Sequence, residues 1–264
     1  MKVDLTPARI EPNLTRAETQ SARLLEEHAI DKPKFNVEAL ARAMGLEVKY
    51  GGLDKPDAWL FRKPKGKSII RINNRVRTES RRRFSLAHEL GHWVLHPHLT
   101  QLTACTQENL ADYLNSIEET EANWFAATLL MPKYLISEAI RGRDPSFATI
   151  EQITEDFGTS RIAAARRFVE LTKERVILVY SKSGQIIWRA KSKAAQYHAL
   201  ASETIPEDSW TFKTNSGAGI PDGHQPCLPD IWLKENPYKS TNELFEDVRV
   251  IDSLDATMTL LWFP

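Results

Sequence analysis

The sequence predicts an α+β protein. It reads as a mostly helical core with a small antiparallel sheet, then a helix-turn-helix-like segment, then a small C-terminal α+β module. Three observations carry this. Apolar residues recur at helical spacing through most of the first 171 positions, interrupted by short β-rich runs between 46 and 72. Pro97 and Pro132 each close a long helical pattern, since the residue before a proline avoids the α region. Near 172–176 the pattern turns into two β-rich runs, RVILVY and QIIWRA, joined by Lys182-Ser183-Gly184. A chain of 264 residues lies between one and two ordinary domains and is long enough to bury a core without staples.

In order, residues 14–31 carry the partly amphipathic set Leu24, Leu25, His28 and Ala29 and read as a helix. Residues 36–45 form a second helix, with Asn36 as N-cap and Gly45 as its stop. LEVKY (46–50) alternates and reads as a strand. Ala58–Arg62 and Ser68–Ile72 form an antiparallel strand pair across the basic turn Lys63–Lys67. Residues 80–96 and 112–130 are the two long helices, and 132–141 starts another. Residues 147–171 read as helix, turn, helix, with Ser160 capping the second. Five prolines make 202–240 mostly loop, and ATMTLLWF (256–263) is a final strand. The expected divisions are 1–146, 147–175 and 176–264.

Composition excludes several classes. Lys plus Arg and Asp plus Glu are both 35, so the net charge is zero and a whole-chain basic footprint for nucleic acid is absent. Two cysteines, Cys105 and Cys227, cannot make a disulfide framework. No apolar run reaches membrane-spanning length, and the N-terminal stretch has no apolar signal core. The expected compartment is the reducing cytoplasm.

Residues 88–92 read His-Glu-Leu-Gly-His. On a helix, positions i and i+4 share a face about 6 Å apart along the axis. Two imidazoles there can converge on one zinc, while Glu89 on the flank reaches a bound water without competing for the metal. Ala87, Leu90 and Val94 form the inward stripe, and Gly91 implies a close approach by another element. The competing reading is a surface helix with two solvated histidines. A catalytic zinc wants a third protein ligand. The next long helix offers Glu121, set against the apolar residues Ala122, Phe125, Ala126 and Leu129, with Glu118 one turn earlier as the fallback. Zinc suits this donor set, and manganese also accepts two histidines and a glutamate.

RRRFSLAHELGHWVLH (81–96) followed by ETEANWFAATLLMP (119–132) resembles the ImmA/IrrE-type zinc metallopeptidases, and AWLFRKPKGKSIIRINN (58–74) is similar to the strand pair before their active-site helix. The resemblance covers roughly 20–170. It implies a zincin-like, gluzincin-type core with His88, His92 and Glu121 as metal ligands and Glu89 as general base. It also implies a substrate class: a partner transcriptional repressor of the helix-turn-helix type, in a phage, mobile-element or stress-response circuit. Residues 146–171 resemble the helix-turn-helix-like segment that follows the peptidase core in many members.

The expected function is therefore a cytoplasmic zinc endopeptidase acting on a regulatory protein. Its rivals are a non-enzymatic regulator that binds a repressor or DNA, and a toxin-antitoxin component with a gated peptidase. His96, His98, Tyr113 and Arg71 are candidates for stabilising an oxyanion. The strand Ser68–Ile72 is a candidate for pairing with an extended substrate. Arg161, Arg166 and Arg167, with Lys173 and Arg175, make a basic stretch, but interspersed acidic residues favour a helix pair packed on the peptidase core over phosphate contact. Cys105 is read as an inert thiol, and Cys227 with His224 as too few ligands for a second metal site.

Overall fold

The computed structural model describes residues 11–54, 57–97, 103–104, 116–195, 199–235 and 243–264. The chain divides into two compact units, Met1–Pro132 with Phe157–Thr159, and Lys133–Asp156 with Ser160–Pro264. It is mixed α and β, as the sequence predicts.

In the first unit, α1 (Leu14–Glu27) and α2 (Val37–Ala43) begin where asparagine side chains accept backbone N–H groups. Asn13 takes that of Arg16, and Asn36 that of Ala39. Gly45, at φ +83°, turns the chain out of α2 into β1 (Glu47–Gly51). Strands β2 (Ala58–Phe61) and β3 (Ile69–Asn73) pair antiparallel as expected, Leu60 opposite Ile70. β1 joins β3 in parallel, so this sheet is mixed rather than purely antiparallel. With the two-residue β4 (Thr103–Ala104), its order is β1-β3-β2-β4. β3 is therefore flanked on both sides. The expectation that Ser68–Ile72 pairs with an extended substrate fails, because its ladder groups are already bonded to β1 and β2.

The two long helices are α3 (Glu79–Leu95) and α4 (Ile117–Leu130), the latter capped by Ser116 accepting from the Glu119 N–H. They share one core with α1 and the sheet, through Leu25, Leu60, Ile70, Leu86, Leu90, Phe125 and Leu129. Gly91 is a close approach between them: a Cβ there would lie 3.0 Å from the Ala122 Cα and 3.1 Å from its carbonyl oxygen. This is the packing role its position in the motif suggested.

The second unit holds α5 (Lys133–Ala139), α6 (Phe147–Phe157), whose last residue belongs to the first unit, and α7 (Arg161–Leu171). Ser160 caps α7 through the Ala163 N–H, as read from the sequence. Strands β5 (Arg175–Lys182), β6 (Gln185–Lys191), β7 (Gln225–Cys227), β8 (Leu244–Ile251) and β9 (Ala256–Phe263) make a wholly antiparallel sheet in the order β6-β5-β9-β8-β7. The sequence boundaries at 146/147 and 175/176 fall inside this unit. The helix pair is bound to the sheet: the Phe147 N–H donates to Asp247, and the Arg166 guanidinium lies over the Trp188 ring. Two of the arginines of the basic stretch pair with carboxylates of the same helix pair. Arg167 is buried and bonds Glu170 at 2.7 Å, and Arg161 pairs with Glu151 at 3.6 Å.

Strand β8 escaped the sequence reading because its buried positions include Glu246 and Asp247. Glu246 is tolerated there by accepting from the Trp210 and Thr211 N–H groups, the Thr211 hydroxyl and the Trp232 indole. Among the described residues, no helix is long and apolar enough to cross a membrane.

Candidate metal centre

The site is built on the C-terminal half of α3. Helix carbonyls at that end largely lack intrahelical donors, although that of His92 still takes the His96 N–H. Two arginines from other elements supply them. Arg62 Nη2 donates to the carbonyls of His92 (2.7 Å), Trp93 (3.3 Å) and His96 (3.2 Å), and its guanidinium stacks over the Trp93 ring. Arg16 Nη2 donates to the Leu95 carbonyl at 2.8 Å. Both cations sit at the negative end of the helix dipole and pin the turn that carries His92 and His96.

One helical turn apart, His88 and His92 bring their Nε2 atoms to 3.0 Å. From α4, Glu119 places one carboxylate oxygen 3.2 Å from His88 Nε2 and the other 3.0 Å from His92 Nε2. All three side chains are buried. Their donor atoms form a cluster able to hold a metal ion. The fit to zinc is close. Four donors at about 2.0–2.1 Å in a tetrahedron stand about 3.4 Å from one another. Two imidazole nitrogens and a carboxylate already stand within a few tenths of that. The same edge lengths would be strained for a large, many-oxygen ion such as calcium.

Glu89 lies between the two histidines in sequence and is fully buried. Its charge helps hold a proton on His88. Burial by itself lowers the His88 pKa, but the hydrogen bond to Glu119 and the charges of Glu89 and Glu119 outweigh it, so His88 is raised. His92 is lowered: burial dominates, and the neighbouring His88 and His96 add to it against Glu119. Burial opposes ionisation of Glu119, yet the two imidazoles hold its carboxyl well below the usual carboxylate range.

The sequence reading placed the third carboxylate at Glu121, with Glu118 behind it. The structure sends Glu121 elsewhere. Its Oε2 is 3.0 Å from His96 Nε2, and its Oε1 accepts the Asn13 N–H at 2.7 Å. The physical reason is the helix period. At about 100° per residue, positions 119 and 121 stand about 200° apart around α4. Glu119 shares its edge of the apolar stripe with Ala122, which packs on Gly91 of α3. Glu121 shares the other edge with Thr128, whose hydroxyl meets Ser21 of α1 at 2.8 Å. Glu118 is partly exposed and outside the cluster. Glu119 was legible in principle, because it stands three residues before Ala122 on the same stripe.

His96 is buried and occupied by Glu121 and by His92, whose Nδ1 is 3.1 Å from His96 Nδ1. Arg71 lies exposed on β3 beside Gly51. His98, Cys105 and Tyr113 fall outside the described residues. Asn123 was also missed. Its Oδ1 is 3.0 Å from His88 Nδ1, and it stands one turn beyond Glu119 on α4.

Comparison with known proteins agrees with this geometry. Residues 41–169 match the IrrE N-terminal-like domain. The radiation response metalloprotease IrrE of Deinococcus deserti is 30% identical over 161 residues, which cover 61% of this chain and 56% of that protein. The protein of the same name from Deinococcus radiodurans is 30% identical over 118 residues, 45% of this chain and 36% of that one. The chain thus spans little more than half of the first relative and about a third of the second. A Mycobacterium tuberculosis transcriptional regulator shares the fold, with a TM-score of 0.58 at 16% identity, covering 94% of this chain and 76% of that one. The domain match spans both long helices and the histidine–glutamate cluster between them, so residues 41–169 of this chain are an IrrE N-terminal-like domain, a domain of metallopeptidases.

Proposed function

We propose that the chain is a cytoplasmic zinc-dependent endopeptidase whose substrate is a helix-turn-helix transcriptional repressor. The observation that carries the catalytic part is the convergence of His88 Nε2, His92 Nε2 and the Glu119 carboxylate on one point, with Glu89 beside them. The relatives named as radiation-response metalloproteases support the activity, and the family resemblance of residues 81–132 supports the substrate class.

In this reading His88, His92 and Glu119 hold the ion. Bound zinc supplies a water of lowered pKa and a Lewis acid for the scissile carbonyl. Glu89 is the remaining carboxylate of the motif. It takes the proton released as the peptide bond is attacked, and delivers it to the departing amine. Arg62 and Arg16 hold the end of α3, so that the two imidazoles keep their separation.

The test is incubation of the zinc-loaded protein with a helix-turn-helix repressor from the same genome, the one encoded nearest being tried first, and mass analysis of the products. The wild type is expected to make one discrete cut. Glu89→Gln is expected to retain one zinc per chain and lose the cut. Glu119→Ala is expected to lose stoichiometric zinc. Cleavage by Glu89→Gln would remove the assigned base. Repressor captured intact by both forms would favour a binding regulator instead.

A further inference from the structure

The chain's charge is neutral only on average. Residues 58–83 hold ten of its 35 lysines and arginines and one of its 35 carboxylates, Glu79. Glu79 stands in the first turn of α3, where a carboxylate meets the positive end of the helix dipole. Four of the ten cations are engaged within the protein. Arg62, Arg82 and Arg83 donate to backbone carbonyls, and Arg81 pairs with Asp57. The other six, Lys63, Lys65, Lys67, Arg71, Arg75 and Arg77, are exposed and have no ion-pair partner among the described residues. We propose that these cations, with the aromatic rings beside them, form a docking face for single-stranded nucleic acid on the outer side of the first unit's sheet.

The alternation of β3 builds this face. Ser68, Ile70 and Ile72 are buried, so Lys67, Ile69 and Arg71 face out. The hairpin turn sets Lys63 and Lys65 at the same end of the strand as Lys67, and the chain leaves the other end through Arg75 and Arg77. A line of positive charge therefore follows β3. The flanking carboxylates do not cancel it. Glu47 on β1 is taken by Lys49 at 3.2 Å, and Asp57 before β2 by Arg81. Gly51 on β1 leaves room for the Arg71 guanidinium, since a Cβ there would lie 3.4 Å from its Nε. None of these residues belongs to the candidate metal centre.

Beside the line, β2 supplies rings. Trp59 stands opposite Arg71 and Phe61 opposite Ile69, on the same outer face. Trp59 is half-buried and Phe61 is 44% exposed. Cross-strand neighbours of this kind have Cβ atoms about 4.5–5.5 Å apart. The combination selects the occupant. A phosphate backbone is attracted by a row of unpaired cations. An unpaired base adds a flat ring to stack on an aromatic side chain, which a duplex keeps inside its own stack. An acidic peptide would use the cations and leave the rings idle.

The experiment is fluorescence anisotropy of a labelled oligothymidine with the full chain, titrated between about 50 and 200 mM salt. A duplex of the same length and a polyglutamate competitor are run in parallel. The wild type is expected to bind the single strand more tightly than the duplex. With four phosphates held by Lys67, Arg71, Arg75 and Arg77, log affinity should fall against log salt with a slope of about −3. Arg71→Ala with Arg75→Ala should bind more weakly and flatten that slope by about 1.4. Phe61→Ala should weaken binding about 5–150-fold and leave the slope unchanged. Thermal unfolding checks that the variants fold, and Lys67→Ala with Arg77→Ala gives the same reading should the first pair fail. Absence of oligothymidine binding at the lowest salt, or binding unchanged in both arginine and lysine variants, would overturn the proposal. A duplex bound as tightly as the single strand would overturn it as well, because the rings would then contribute nothing. Polyglutamate displacing the oligonucleotide at equal charge would also overturn it, and would assign the face to an acidic protein.

Discussion

Replacing Gly91 by alanine inserts one methyl group into a tight contact between the two helices that carry the candidate centre. Two effects oppose each other. Alanine is the better helix former by about 1 kcal/mol. The new Cβ, however, would sit 3.0 Å from the Ala122 Cα, 3.1 Å from the Ala122 carbonyl oxygen and 3.2 Å from Phe125 Cδ1, against ordinary contacts of 3.4–4 Å. Two of these neighbours are backbone, so relief requires α3 and α4 to part by about 0.4 Å, and overpacking of this kind costs about 1–3 kcal/mol. The steric term wins, with a net loss of about 1 kcal/mol expected, or a few degrees in Tm for a chain of this size. The larger consequence is functional. His88 and His92 ride on α3 and Glu119 on α4, and metal–ligand distances tolerate only about 0.2 Å. Thermal unfolding with excess chelator measures the first effect, and zinc competition the second. A Gly91→Ala protein with unchanged or raised Tm and wild-type zinc affinity would refute the close-packing argument.

Three further outcomes are expected. Arg62→Ala leaves the carbonyls of His92, Trp93 and His96 without their charged donor, and should destabilise the protein by about 1–3 kcal/mol in denaturant unfolding. An equal stability would mean that water replaces the guanidinium freely. Burial, with the nearby Glu246 charge and hydrogen bond, pushes the Cys227 thiol up to about 12. Peptide-resolved alkylation of the native chain at pH 8 should therefore label Cys227 far more slowly than the unfolded chain, and rapid native labelling would refute the assignment. The same shift has a sign for stability. The folded state holds this proton more tightly than the unfolded chain, so the contribution is complete below about pH 9 and is lost as pH rises toward 12. A Cys227→Ser chain should show a shallower alkaline loss in thermal scans.

Much of this was written in local sequence. Asn36, Gly45 and Ser160 marked helix ends because a cap needs only one side chain and its own backbone. His88 and His92 were paired by the helix period alone, since four residues on one helix fix both direction and spacing. Gly91 announced a close neighbour because a glycine inside a helix is otherwise a cost. Strand β8 was hidden for the opposite reason. Glu246 and Asp247 look like surface residues until the partners that satisfy them, Trp210, Thr211, Trp232 and Phe147, are brought in from far along the chain.

The sequence by itself determined that two histidines and a glutamate on one helix would face a carboxylate on the next. Which carboxylate was decided only by tertiary structure. Glu119 and Glu121 border opposite edges of one apolar stripe, and nothing local says which edge meets α3. Packing answers it. α4 lies between α3 and α1, with Ala122 against Gly91 on one side and Thr128 against Ser21 on the other. Glu119 therefore turns to His88 and His92. Glu121 turns to His96 and to the Asn13 N–H, a group more than a hundred residues away in the chain.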